Sequence, residues 1–136
     1  MPAVIDSSVA ACWALPDEYS PVANVALDLV ADNGMVVPAL FAYEFRNVLL
    51  VNERRKRIAA EAISTALSKV GAIPTQFDSD FDPDRLLVIA RRQALSVYDA
   101  AYLELALRRD LPLATLDRRL ATAASAEGAT IVAAAN

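Results

Sequence analysis

Short apolar runs alternate along the chain with longer stretches whose apolar residues fall three and four apart, the pattern of strands interleaved with helices. Ala3, Val4 and Ile5 make a brief strand that ends at Asp6, and Asp6, Ser7 and Ser8 offer capping oxygens to a short helix over 9–15. Pro16 breaks that helix. A second begins near Ser20, carries Val22, Val25, Ala26 and Leu29 at helical spacing, and stops at Asn33 and Gly34. Residues 35–37 form the next strand, closed by Pro38. Helical spacing returns over 39–57, where Leu40, Tyr43, Val48 and Val51 share broad apolar faces and the last turn is basic, and again over 59–70 until Gly71. A strand over 73–77 leads into the acid-rich stretch 78–84, which starts a helix over 83–94 by placing carboxylates at the positive end of its dipole. A further helix opens at Ser96 and runs to Arg109, with Asp99, Tyr102 or Leu103, and Ala106 along one side. Pro112 introduces a strand over 113–116 that ends in Asp117. A helix over 118–127 is stopped by Gly128, and 130–133 is a final strand.

Strand and helix alternate throughout, with no internal repeat, low-complexity linker or shift of composition to mark a boundary. The expectation is an α/β fold in one domain over 1–136, a parallel sheet with helices on both faces. An apolar content of 56% supplies a continuous core for a chain of this length. No apolar run approaches the roughly 18 residues of a membrane span, and the start of the chain lacks the charged and long apolar regions of a secretory signal. A cytoplasmic protein without a membrane segment is expected.

Composition removes several chemistries. The chain has no histidine, which excludes Ser-His-Asp and Cys-His catalysis and RNA cleavage by a histidine pair. Cys12 is the one cysteine, so no intrachain disulfide and none of the common zinc-ligand sets can be assembled, and it reads as core packing. A net charge of −4 argues against a surface that grips nucleic acid everywhere, while allowing local basic strips. Arg54, Arg55, Lys56 and Arg57 form one such run. Arg91-Arg92, Arg108-Arg109 and Arg118-Arg119 are pairs near helix ends, where cations commonly complement helix C-termini.

The chemistry that is left belongs to carboxylates. Asp6 and Asp117 each follow an apolar strand, and in open parallel sheets function gathers beyond the carboxyl ends of strands, where strand order reverses. Neighbouring strands at that point would bring the two acids together. Glu44 lies among Phe41, Ala42, Tyr43 and Phe45, and Asp99 among Val97, Tyr98, Ala100 and Ala101, settings in which an unpaired charge is costly to bury. Each acid has an ordinary explanation by itself: Asp6 a strand-end cap, Asp99 a helix N-cap, Asp117 a turn residue, Glu44 an exposed side chain. Four together match the hard oxygen ligands that Mg2+ or Mn2+ takes. One or two such ions would provide an activated water and charge stabilisation for hydrolysis of a phosphodiester, with no covalent nucleophile from the protein. Ser8 and Thr115, two residues after Asp6 and two before Asp117, can hydrogen-bond an acid, a water or a phosphate, or serve as a cap and a strand filler. The stretch 78–84 is no calcium loop, because Pro83 replaces the required glycine and Ile89 falls where the bidentate glutamate should be.

Asp6-Ser7-Ser8, Glu44 with Arg46-Asn47-Val48-Leu49, Tyr98-Asp99-Ala100-Ala101-Tyr102-Leu103 and Leu113-Ala114-Thr115-Leu116-Asp117 together resemble the PIN-domain family, specifically its VapC-type toxins. The resemblance spans essentially the whole chain in order and spacing. It implies a five-stranded parallel sheet flanked by helices in three layers, and a Mg2+- or Mn2+-dependent endoribonuclease whose acidic quartet maps onto Asp6, Glu44, Asp99 and Asp117. It further implies hydroxyl positions at Ser8 and Thr115, a polar position near the site at Asn47, a homodimer, and a cognate antitoxin whose tail blocks the acidic pocket. Arg54, Arg55, Lys56 and Arg57 would then contact RNA phosphates beside the pocket.

Two other readings compete. A phosphoacceptor receiver or a magnesium-dependent phosphatase would use a similar sheet, but a receiver wants a lysine near the end of the sheet where only Lys56 and Lys69 exist. A haloacid-type phosphatase wants Asp-x-Asp after the first strand, where this chain has Asp6-Ser7-Ser8. A non-catalytic toxin-like module that only sequesters a partner or RNA is the second, and the acidic quartet argues against it.

Overall fold

Ala3, Val4 and Ile5 have no solvent exposure at all, so the first strand is covered on both faces and must lie inside the sheet. The computed structural model describes residues 1–134, and residues 135 and 136, the end of the expected domain, lie outside the described residues. Along the chain come β1 (Ala3–Ile5), α1 (Ser7–Ala14), α2 (Pro21–Asn33), β2 (Met35–Pro38), α3 (Leu40–Arg54), α4 (Ala60–Gly71), β3 (Thr75–Asp78), α5 (Pro83–Gln93), α6 (Val97–Arg109), β4 (Leu113–Ala114) and α7 (Arg118–Ala126). Every strand pairing is parallel and the order is β3-β2-β1-β4, with Val4 opposite both Val36 and Leu113. One group of helices, α1 to α4, packs together, and a second group is built around α6 with α5 and α7. Both α2 and α6 pack on β1, which sandwiches the sheet between the groups.

Connections from β1 through β2 to β3 move steadily to one edge, and the connection through α5 and α6 carries the chain back past both to β4. The strand order therefore reverses between β1 and β4, and the crevice of an open parallel sheet lies there. Gly34 makes the tight passage from α2 into β2. Its φ is +81° and a side-chain carbon there would meet the Pro74 carbonyl oxygen at 2.9 Å, so both conformation and space call for glycine.

Two expectations are corrected. Among the described residues the sheet has four strands rather than five, because 130–133 supplies only a bridge between Ile131 and Leu113. β4 stops at Ala114, and from Thr115 the chain turns toward Asp6, so the edge offers a partner little to pair with. The acid-rich stretch does start α5, through Asp82 Oδ1 accepting from the backbone N–H groups of Asp84 and Arg85. Asp78, however, is buried and takes two bonds from Arg108 (3.0 and 3.1 Å) and one from Arg109 (2.9 Å). Arg108 also donates to the fully buried Glu104 at 2.7 Å, so a charged cluster ties β3 to α6. Cys12 is buried as expected. Among the described residues no helix is long and apolar enough to cross a membrane.

Candidate active site

β1 and β4 are neighbours, with Ile5 opposite Ala114, and so Asp6 and Thr115 leave the same edge of the sheet side by side. Asp6 occupies the N-cap position of α1 but does not cap it with its side chain. Its Oδ2 instead accepts from Ser8 Oγ at 2.8 Å and Thr115 Oγ1 at 2.7 Å. Both hydroxyls are themselves acceptors, Ser8 Oγ from the Leu116 N–H at 3.0 Å and Thr115 Oγ1 from the Asp117 N–H at 3.0 Å. The hydroxyl protons are thus committed to Asp6, and the turn after β4 is locked to the turn after β1. Oδ1 of Asp6 accepts no hydrogen bond among the described residues.

Glu44 repeats the arrangement on another element. It sits on the second turn of α3, half-buried, and its Oε1 accepts from Tyr102 Oη at 2.7 Å and Ser7 Oγ at 3.3 Å. Tyr102 is fully buried. Burial first, and Glu44 second, push its phenol far above the ordinary value, so it stays protonated and remains a donor. Oε2 of Glu44 is left without a donor among the described residues.

Asp99 lies in the first turn of α6 and is not its N-cap. Ser96 takes that role, its Oγ accepting from the Asp99 N–H at 3.1 Å. The Asp99 carboxylate is therefore free of capping duty. Asp117 does cap α7, its Oδ1 accepting from the N–H groups of Arg119 (2.8 Å) and Leu120 (3.2 Å), which leaves the other oxygen available.

The acids feel one another. Burial is the main reason the Glu44 carboxyl titrates above its ordinary range; the charges of Asp6 and Asp99 push the same way, and the bonds from Tyr102 and Ser7 pull it partly back. Asp99 is raised by burial and then by Asp117 and Asp6, against smaller pulls from Ser96 and Arg119. The structure thus brings all four predicted acids into one electrostatic neighbourhood. Among the described residues no three Asp, Glu or Cys side chains stand close enough together to hold a metal ion as they are. Oxygens left without a donor among these residues are Oδ1 of Asp6 and Oε2 of Glu44, together with the second oxygen of Asp117.

Ser8 and Thr115 are both brought onto Asp6. Asn47 is exposed, one turn beyond Glu44, and makes no side-chain hydrogen bond among the described residues. Ser7 and Tyr102 are additional contacts of the site that the sequence reading did not single out for it, although Tyr102 lies three residues after Asp99 and so shares its side of α6. The basic run is remote: Arg54 comes ten residues after Glu44, about 15 Å along the axis of α3. Arg57 is also engaged, with both oxygens of Asp17 (3.0 and 2.9 Å) and with Glu18. Arg54, Arg55 and Lys56 are exposed.

Comparison with known proteins agrees with this architecture. The crystal structure of PAE2754 from Pyrobaculum aerophilum superposes with a TM-score of 0.70 at 25% identity, over 97% of this chain and 91% of that one. The crystal structure of FitAcB from Neisseria gonorrhoeae has the same fold, with a TM-score of 0.61 at 18% identity over 96% of each chain. None of the curated proteins compared matches the sequence. The PIN domain model matches residues 3–126, nearly the whole described chain, and the protein therefore belongs to the PIN domain family, whose members are generally nucleases.

Proposed function

We propose that the protein is a divalent-cation-dependent endoribonuclease, the toxin of a toxin–antitoxin pair, and that Asp6, Glu44, Asp99 and Asp117 form its catalytic site. The carrying observation is the pattern of hydroxyl donors: each of the two best-held carboxylates has one oxygen tied by two hydroxyls and the other left free. Acids that only cap a helix, such as Asp82, also leave one oxygen free, but they bind the backbone N–H groups of that helix, whereas Asp6 and Glu44 are held by hydroxyls reaching in from other elements. Both are oriented by these donors with one oxygen left available, which suits the holding of a cation.

Asp6, Glu44, Asp99 and Asp117 would hold Mg2+ or Mn2+, all through oxygen, with no softer ligand nearby to favour zinc. When bound, such an ion neutralises the pocket toward an incoming phosphate and lowers the pKa of water to make a nucleophile. Ser8 and Thr115 fix the Asp6 carboxylate, and Ser7 and Tyr102 fix Glu44, so the residues around the scissile phosphate need no rearrangement as charge develops. Asn47, on the exposed side of α3, is placed to meet substrate at the margin, and Arg54, Arg55 and Lys56, with Arg57 held by Asp17, offer a more distant contact to the RNA backbone.

A toxin of this kind acts inside the cytoplasm, pairs as a homodimer and is held in check by an antitoxin that occupies the acidic pocket. The family match and the resemblance to VapC-type toxins support this reading. Purified protein free of any antitoxin, supplied with Mn2+ and RNA, should cut internal phosphodiester bonds, and Asp6→Asn protein of equal melting temperature should not. Equal cutting by both would reject the carboxylate centre.

A further inference from the structure

The arginines of this chain divide by what they touch. Arg57, Arg92, Arg108 and Arg109 are paired with carboxylates, Arg46 turns back onto the Ala42 carbonyl of its own helix, and Arg54, Arg55, Arg85 and Arg91 are exposed without a carboxylate partner among the described residues but adjoin none of the four acids in the chain. Arg118 and Arg119 are exposed and have no carboxylate partner among the described residues, although both follow directly on Asp117. Arg119 is oriented all the same: its Nη2 donates to the Ala94 carbonyl at 2.8 Å, at the junction of α5 and α7. With Gln93, Thr122 and Ala123 the two arginines line an open groove of about 310 Å³.

Helix stability does not account for the pair. They are the first two residues of α7, where the dipole favours anions and disfavours cations. Arg91-Arg92 and Arg108-Arg109, by contrast, stand in the last turns of α5 and α6, where the dipole welcomes them. The N–H groups at the start of α7 are already capped by Asp117, so the side chains are what this surface presents. They adjoin the carboxylates directly, following Asp117 in the chain, with the Arg119 N–H donating to Asp117 Oδ1 at 2.8 Å. A polyanion approaching four acids in a chain of net charge −4 is repelled. Two unpaired guanidiniums beside them reverse that locally, and guanidinium matches phosphate in a bidentate way.

We propose that Arg118 and Arg119 grip the phosphates of a single RNA strand next to the carboxylate pocket, with the groove between α5 and α7 guiding the strand away from it. The assignment rests on the nuclease reading above and adds the substrate path, which the run 54–57 does not supply at the pocket itself.

The test is binding of a short fluorescein-labelled oligouridine to Asp99→Asn protein in Mg2+, followed by anisotropy across about 50–200 mM KCl. Arg118→Ser/Arg119→Ser should weaken binding about tenfold at the lower salt and flatten the slope of log affinity against log salt by about 1.4, roughly 0.7 for each lost phosphate contact. Arg118→Lys/Arg119→Lys should keep the parent slope, and melting temperatures should show that both variants fold. An unchanged slope in the serine variant overturns the proposal. Because binding is read in a background that need not cut, the two readings fail separately. Wild-type protein that leaves RNA intact in Mn2+ while the slope still flattens rejects the nuclease alone, and active protein with an unaltered slope rejects the arginine contact alone.

Discussion

The two ends of α6 each bury acids, and they hold them in opposite ways. Toward the C-terminal end, Glu104 and Asp78 meet the guanidiniums of Arg108 and Arg109, and the arginine bonds keep the Asp78 carboxyl well below the usual carboxylate range. At the N-terminal end, Asp99 joins Asp6, Glu44 and Asp117 with hydroxyls and backbone N–H groups as the main donors, and Glu44 and Asp99 are pushed above their ordinary range. The first cluster is charge-balanced and satisfied, and its effect is to fix β3 against α6. The second carries excess negative charge and oxygens aimed without a protein partner. Burial of a carboxylate thus says little about function by itself; what separates the two clusters is whether the chain supplies the counter-charge.

The contrast is broken most sharply by one substitution at each end. Asp99→Asn should reduce RNA cleavage about a thousandfold or more, roughly 4 kcal/mol of transition-state stabilisation. It should also raise the stability of the ion-free protein, since it removes the cost of burying the charge and then the repulsion from Asp117 and Asp6. Arg108→Met should do the reverse: it leaves Asp78 and Glu104 without their main counter-charge, costs about 3 kcal/mol in urea unfolding, and leaves cleavage by the folded protein unchanged. If Asp99→Asn destabilises the ion-free protein, the N-terminal cluster is held together as a structural network and the contrast fails.

Tyr102→Phe sharpens the account of the open cluster. It keeps the ring in the core and removes the 2.7 Å bond to Glu44, so Mn2+ affinity measured by calorimetry should fall about 10- to 100-fold with little change in melting temperature. The smallest effect is on pH dependence. Glu44 and Asp99 have folded pKa values above their ordinary 4.5 and 3.8, so the ion-free fold binds protons more tightly than the unfolded chain. Its stability should therefore fall as pH rises from the ordinary carboxylate values through the raised ones. Asp78 has the opposite sign: its contribution is present above 3.8 and is lost as pH falls toward its lowered value. Unfolding of Asp99→Asn protein across pH 4 to 7, roughly the window concerned, should show a shallower decline than wild type.

Much of the candidate site was readable because its acids are anomalous where they stand. Asp6 and Asp117 follow apolar runs, and Glu44 and Asp99 interrupt apolar stretches, so local context marks all four. Ser8 and Thr115 were readable for the same reason, being two residues from an acid. The link from Tyr102 to Glu44 spans 58 residues and depends on how α3 and α6 approach one another, which periodicity does not encode. Asp78 shows the same limit from the other side: among the four acids in 78–84 nothing local distinguishes the one that is buried against Arg108 from those that cap or begin α5. The last strand was overread because Thr130, Ile131 and Val132 have strand character, while pairing depends on β4, which the turn at Thr115 cuts short.

The central claim is that acids from four separate elements hold one cation together, and anomalous diffraction from crystals soaked in Mn2+ tests it most directly. The account predicts an anomalous peak within coordinating distance of the Asp6 carboxylate and of at least one of Glu44, Asp99 and Asp117, lost in Asp99→Asn crystals or clearly weakened. A Mn2+ peak only elsewhere on the protein, or none at saturating Mn2+ in crystals whose pocket is open to solvent, would contradict it.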